Sequence, residues 1–570
     1  MASFDDIDTP DARDPQEPGE GWPPGARRAL PMLLGVLLAT AVPYGVVALA
    51  GEPGPADEGT LYAALADLRA WVPGDPAPFS TLFKTGRPDG LVALEGDGAG
   101  AAIGALAAQV EGEDDPDLAG PVALVRPVAA ADVVEAADAR SEAASDAAAG
   151  ASAADGAVAP ADGGPSAPGP AAAVEGPYAR LVVPPEAWEG ITAEIEDPSG
   201  AMAPFYKALA RTALGEAGAV TRISQWGDSA IAADGLTGAA RRLLQRQFGD
   251  AGHGFALVAA GNPWYRRKDI EWTSSGWKTQ EFIRKEAADG RYGYGGVAAV
   301  GYQGASATWT TVKDEPVGTS ASRFEVWYSA EPKAGKLEIA VDGEPKSLVE
   351  TVSEAPEDRV EVVVVPDGPH AFRIKSAGGG AVRVFGVVVE RDGPGVVYDG
   401  IGIIGAREAR QLWADEAHFL GQLAKRRPDL MILMYGGNTL PDKISLASYR
   451  ESFTQVVDRF RRGRPEAACL VMSPLDHGER HRGRVRTVPR QHELMAVQRE
   501  VALAKGCAWY SIYDAMGGEG SVGKWFDTGL ASGDLAHPTA KGSKVLGALW
   551  YKSVMKGFAG WVEAQKAAAP

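Results

Sequence analysis

The stretch VTRISQWGDSAIAADGLTG, from Val220 to Gly238, decides the fold. Ala219 to Trp226 reads as a short apolar strand, and Leu236, Leu243, Leu244 and Phe248 recur at the spacing of one helix face. Ser229 therefore falls just past a strand and before a helix. Downstream, DLMILMYGG, ACLVMSPLD and CAWYSIYD are further apolar runs, separated or preceded by helical patterns such as REARQLWADEAHFLGQLAKRR. Short apolar strands alternating with helices predict a doubly wound parallel sheet covered on both faces. Ligands bind such sheets at the carboxyl ends of the strands, and Ser229 is expected there.

A different texture interrupts this pattern. From Lys268 to Arg391 strand follows strand, including SRFEVWYSA, KLEIAVDG, VEVVVVPDG and VRVFGVVVE, punctuated by Gly, Asp and Pro. This predicts an antiparallel β-sandwich inserted into the α/β domain. Trp264, Trp272, Trp277, Trp309 and Trp327 fall in or beside it. Exposed, they would stack on sugar rings; buried, they fill the sandwich core, which is the expected reading for any one of them.

Composition narrows the function. The 570-residue chain carries a formal net charge of −19, which offers no basic field to a phosphate backbone and argues against nucleic acid as a partner. The two cysteines, Cys469 and Cys507, lie in apolar strand-like runs and are expected to be plain core residues rather than a disulfide framework or metal site. The seven histidines show no paired ligand spacing. No metal or other cofactor is expected.

Near the amino terminus, Arg27 and Arg28 precede an uncharged run from Leu30 to Ala50, about one bilayer core in length. It is expected to be a transmembrane anchor, with a cleaved signal peptide as the rival, and either reading exports the rest of the chain. From Lys84 to Pro177 there is no aromatic residue, and the later part is rich in Ala, Gly, Ser, Asp and Pro, a composition that cannot offset chain entropy. The expected organisation is an acidic cytoplasmic tail (1–29), an anchor (30–50), a small or partly disordered region (51–127) and a linker (128–176). The α/β domain comes next in two parts (177–267 and 392–566) around the inserted sandwich (268–391).

Serine needs a base, and the base needs an orienting group. In SGDLAHPTAKG, Asp534 and His537 stand three residues apart in a turn-like segment, close enough for the carboxylate to hold the imidazole. A D-x-x-H pair alone is usually a pair of surface residues. An oxyanion also needs donors set in place beforehand. The turn in GIIGAREARQL offers the Gly405 N–H, and MYGGNTLPD offers the Asn438 amide. Singly, these read as a turn glycine and a loop asparagine; four such segments in this order are hard to attribute to chance. The basic run HGERHRGRVRTVPRQH, from His477 to His492, reads first as a solvated loop and second as the wall of a cleft for an anionic glycan.

The blocks QWGDSA, GIIGA, YGGN and DLAHP resemble the four signature blocks of the SGNH hydrolase superfamily, the GDSL esterases. The resemblance covers Tyr178 to Trp561 apart from the insertion and implies a flavodoxin-like three-layer fold. It implies Ser229 as nucleophile, Asp534 and His537 completing a triad, and the N–H groups of Ser229 and Gly405 with the Asn438 side chain as oxyanion hole. A β insertion between the first and second blocks is similar to that of peptidoglycan O-acetylesterases. By resemblance, the chain is expected to be an envelope esterase that removes small acyl groups, chiefly acetyl, from an acylated carbohydrate, with no obligate protein partner. An acyltransferase using the same triad and a non-catalytic glycan-binding protein are the alternatives. Ala230 stands where the GDSL name has leucine, and Thr439 follows Asn438 where many relatives have an acidic residue, which puts the hydrogen bonding there in question.

Overall fold

Five strands form the parallel sheet: β1 (Val220–Gly227), β2 (Gly395–Gly402), β3 (Leu430–Met434), β4 (Ala468–Met472) and β5 (Ala508–Tyr510). Their order is β2-β1-β3-β4-β5, and every neighbouring pair is parallel. The computed structural model describes residues 98–111, 126–127 and 176–568. The segment 30–50 and the acidic tail lie outside the described residues, as do most of 51–127 and nearly all of 128–176. Among the described residues no helix is long and apolar enough to cross a membrane.

Every residue of β3 and β4 is buried, as expected for strands covered on both faces. The strand period of two divides them between two cores. Leu430, Ile432 and Met434 join the layer formed by α1 (Ala203–Ala213), α2 (Gly235–Phe248) and the long C-terminal helix, Ala540–Ala568. Met431 and Leu433 turn to the opposite layer, with Phe419, Leu423, Phe453, Val457 and Phe460. The helical pattern after Gly405 breaks in two. A 3-10 turn (Glu408–Trp413) precedes α3 (Glu416–Arg426), because Asp415 caps the second piece by accepting the His418 N–H at 2.8 Å.

The predicted insertion is an antiparallel sheet with its own core, which includes Trp309, Phe324, Ile339, Phe372 and Val384. It folds over on itself because the strand Val297–Thr311 pairs with Val382–Glu390 through its first half and with Ala371–Gly378 through its second. A short strand at Gly254–Ala256, ahead of Lys268, also joins this sheet. Trp309 and Trp327 are fully buried in their cores, whereas Trp264 is 64% exposed.

A buried ion network joins the two sheets. Arg426 donates to Asp399 of β2 at 2.7 and 2.8 Å and to Glu390, the last residue of Val382–Glu390, at 2.6 Å. Arg222 of β1 closes on the same Glu390 at 2.7 Å. Burial alone would raise the Glu390 pKa, but the two guanidiniums hold it down at about 2.

One expectation changes here. Cys469 and Cys507 are not free core thiols: they form a disulfide linking β4 to the residue before β5, across a separation of 38 residues. Within the region 51–127, a helix (Gly98–Glu111) places Ile103, Leu106 and Ala107 in the core shared with the C-terminal helix. Arg126–Pro127 pairs with Leu181–Val182.

Candidate active site

The order β2-β1-β3-β4-β5 reverses direction between β1 and β3, which opens a crevice at their carboxyl ends. Ser229 stands there as the first residue of a short helix (Ser229–Ala232). Asp228 caps that helix by accepting the Ala230 N–H at 3.0 Å. The local sequence thus takes the chain straight from strand to helix and leaves the hydroxyl at the rim.

His537 reaches Ser229 from far along the chain. Its Nε2 lies 2.8 Å from Ser229 Oγ, and its Nδ1 lies 2.7 Å from Asp534 Oδ2. The other Asp534 oxygen accepts the N–H groups of Ala536 and His537, each at 3.1 Å, so the D-x-x-H spacing closes into a turn that presents both side chains together. The hydrogen bond to Asp534 pushes the imidazole pKa up; burial opposes it, and the charges of Asp534 and Asp228 add to the rise. Burial would raise the Asp534 carboxyl, yet the His537 ring and the two N–H groups hold it at about 2.

Gly405 sits in a turn closed by the Ala406 N–H to the Ile403 carbonyl at 3.0 Å. Its φ of 76° at the third position is what a type II turn demands of glycine. Asn438 follows β3, and its Nδ2 donates to Asp228 Oδ2 at 3.2 Å and to the Ala406 carbonyl at 3.3 Å. The amide is therefore held at the site with both its hydrogens engaged, through long bonds. Ser229, Asn438 and His537 line one small cavity of about 20 Å³; Gly405 is not on its walls. Thr439 donates to the buried Glu408 carboxylate at 2.9 Å, which answers the question raised by the missing acidic neighbour.

Two site residues escaped the sequence reading. Asp228 holds both the nucleophile's helix and the Asn438 amide; its place directly before Ser229, as a helix cap, was the available signal. Burial raises its pKa, countered by the Ala230 N–H, the two nearby imidazoles and Asn438. His477 lines the same cavity. Its Nδ1 lies 2.8 Å from the Leu475 carbonyl, and its Nε2 lies so close over Gly437 that a Cβ there would come within 2.6 Å. Nothing in the local sequence distinguished it from the other histidines of the basic run. Among the described residues no group of three His, Cys, Asp or Glu is arranged to hold a metal ion.

A parallel sheet in this order, with Ser229, Asn438 and His537 meeting at its switch point and a glycine turn after β2, is the arrangement of an SGNH hydrolase fold. Residues 367–545 match the GDSL-like lipase/acylhydrolase family. The matched segment contains Gly405, Asn438, Asp534 and His537; Ser229 lies upstream of it, across the insertion. A solved peptidoglycan O-acetylesterase is similar over 64% of this chain and 99% of its own, at 25% identity and a TM-score of 0.55. A family two carbohydrate esterase from Cellvibrio japonicus, 12% identical over 51% of this chain and 98% of its own, has a TM-score of 0.22, too low to carry weight. No curated protein matches the sequence.

Proposed function

We propose that this protein is a serine esterase that removes small acyl groups, chiefly O-acetyl, from an envelope or extracellular glycan. The observation that carries this reading is the unbroken hydrogen-bond chain Ser229–His537–Asp534. In it, Ser229 Oγ attacks the ester carbonyl carbon while His537 Nε2 takes its proton, and the imidazolium then protonates the departing sugar oxygen. Water repeats the sequence on the acyl-enzyme, releasing the acid and restoring the hydroxyl. Asp534 stabilises the imidazolium, and the Ser229 and Gly405 N–H groups with the Asn438 amide receive the oxyanion, Asn438 exchanging one long internal bond for a charge-assisted one.

A cavity of about 20 Å³ beside the hydroxyl has room for roughly one water or a methyl group, which supports a small acyl chain. His537 is exposed and Ser229 half-buried, so water can reach the acyl-enzyme. Similarity to a peptidoglycan O-acetylesterase supports a glycan ester as substrate. The Cys469–Cys507 disulfide supports an oxidising compartment, in keeping with export. The test is turnover of a chromogenic acetate ester by the wild type beside Ser229→Ala. A loss of about 10³-fold or more is expected, and equal turnover by the two proteins rejects the reading.

A further inference from the structure

The basic run after β4 folds into a hairpin placed against the candidate active site. Its strands, Gly478–His481 and Arg484–Thr487, pair antiparallel, with Gly478 opposite Thr487. Arg482 and Gly483 at the tip have φ values of 47° and 79°, the two left-handed residues of a type I′ turn. The base is fixed to the loop that carries Asp534 and His537: the Gly478 N–H donates at 2.7 Å to the carbonyl of Leu535, which lies between them. Thr487 Oγ1 donates to Asp476 at 2.7 Å, and Val485 packs on the Gly523 backbone. His477, the residue before the hairpin, is already in the cavity wall.

None of these anchors uses the hairpin's charges. Arg480, Arg482, Arg484 and Arg486 are exposed, and Glu479 is the hairpin's one acidic residue, so four positive charges against one negative leave +3. Glu479 pairs with Arg486 at 2.6 Å. Among the described residues, Arg480, Arg482 and Arg484 form no ion pair, although Arg480 lies 5.7 Å from the centroid of the Phe526 ring. Concentrating like charges on ten residues is self-repelling, and an arginine at positive φ adds strain. Both costs fall on a chain whose net charge is −19.

We propose that the hairpin Gly478–Thr487 grips anionic groups, carboxylate or phosphate, on the acylated polymer and so holds an ester at Ser229. A guanidinium fork matches either group through two parallel hydrogen bonds. The ester half of this statement rests on the esterase reading above; the anion-binding half does not. The probes are polygalacturonate, polyphosphate and neutral dextran, titrated against the full chain carrying Ser229→Ala, with and without Arg482→Glu and Arg484→Glu. Charge reversal is expected to weaken binding of at least one polyanion by about tenfold or more and to flatten its salt dependence, with dextran unchanged. Loss on polygalacturonate alone assigns carboxylate, and loss on polyphosphate alone assigns phosphate. An Arg482→Gln, Arg484→Gln chain with the wild-type melting temperature and an intermediate loss separates charge from folding. Equal affinity of parent and reversed chains for both polyanions overturns the proposal. With Ser229 intact, the reversed chain is expected to keep its chromogenic-ester turnover within about twofold, because the small ester carries no polymer charge. No turnover by the wild type sinks the esterase reading and leaves the titration to decide the hairpin.

Discussion

His537 Nε2 meets Ser229 Oγ at 2.8 Å across 308 residues of sequence, so the hydroxyl and its base are brought together by the folded sheet alone. The pH behaviour follows from how the imidazole is held. Its bond to Asp534 raises the pKa above the ordinary value of 6.5, and the base must be neutral to act. The acidic limb of kcat/KM is therefore expected above pH 6.5, and Asp534→Asn should move it downward while lowering kcat by about 10³–10⁴. A pH–rate profile of both proteins checks this. The same shift favours the protonated ring in the folded state. That stability is fully present below the unfolded pKa and is lost as pH climbs through the folded one, so activity and stability change in opposite directions.

Asn438→Ala removes an oxyanion donor and should cost about 10²-fold in kcat with little change in KM. Asp228→Asn keeps the helix cap but sets one amide group against another, so its expected loss is smaller and confined to kcat. Steady-state kinetics on a small acetate ester separates the two. Wild-type kcat in Asn438→Ala would falsify the donor role.

Replacing Cys469 and Cys507 together by serine opens a loop closed over 38 residues. A loss of about 2–4 kcal/mol is expected, read as an earlier midpoint in denaturant. The pair lies in the helix layer opposite the C-terminal helix and away from the cavity walls, so turnover of the still-folded double variant at 25 °C should match the parent. An unchanged midpoint would count against a formed bridge.

Arg426→Met leaves the buried carboxylates of Asp399 and Glu390 without their shared cation. Stranding such charges costs about 3–5 kcal/mol. The loss should shrink as pH falls and Glu390, held at about 2 by its partners, takes up a proton once one partner is gone. Denaturant melts at two pH values test the sign.

Much of this was legible because it is local. Ser229, Gly405, Asn438 and the Asp534–His537 turn each lie in a strand–turn–helix passage, or in a four-residue turn, whose residues state their own geometry. The insertion announced itself through alternation and turn residues. The Cys469–Cys507 pairing was not legible, because it depends on β4 and β5 being neighbours, a fact of sheet order rather than of either strand. His477 was missed for the same reason: its place in the cavity is set by Gly437 on another strand's end. Helix Gly98–Glu111 shares its buried apolar face with the core of a helix more than four hundred residues away, and that dependence leaves no trace in its own composition.

A domain spliced into a loop ordinarily hangs on two passing strands and can swing about them. Here the exit strand ends in Glu390, clamped by guanidiniums from β1 and α3, and that hinge is locked. The inserted sheet is therefore tied to the strands that carry Ser229, as a jig holds work to a tool.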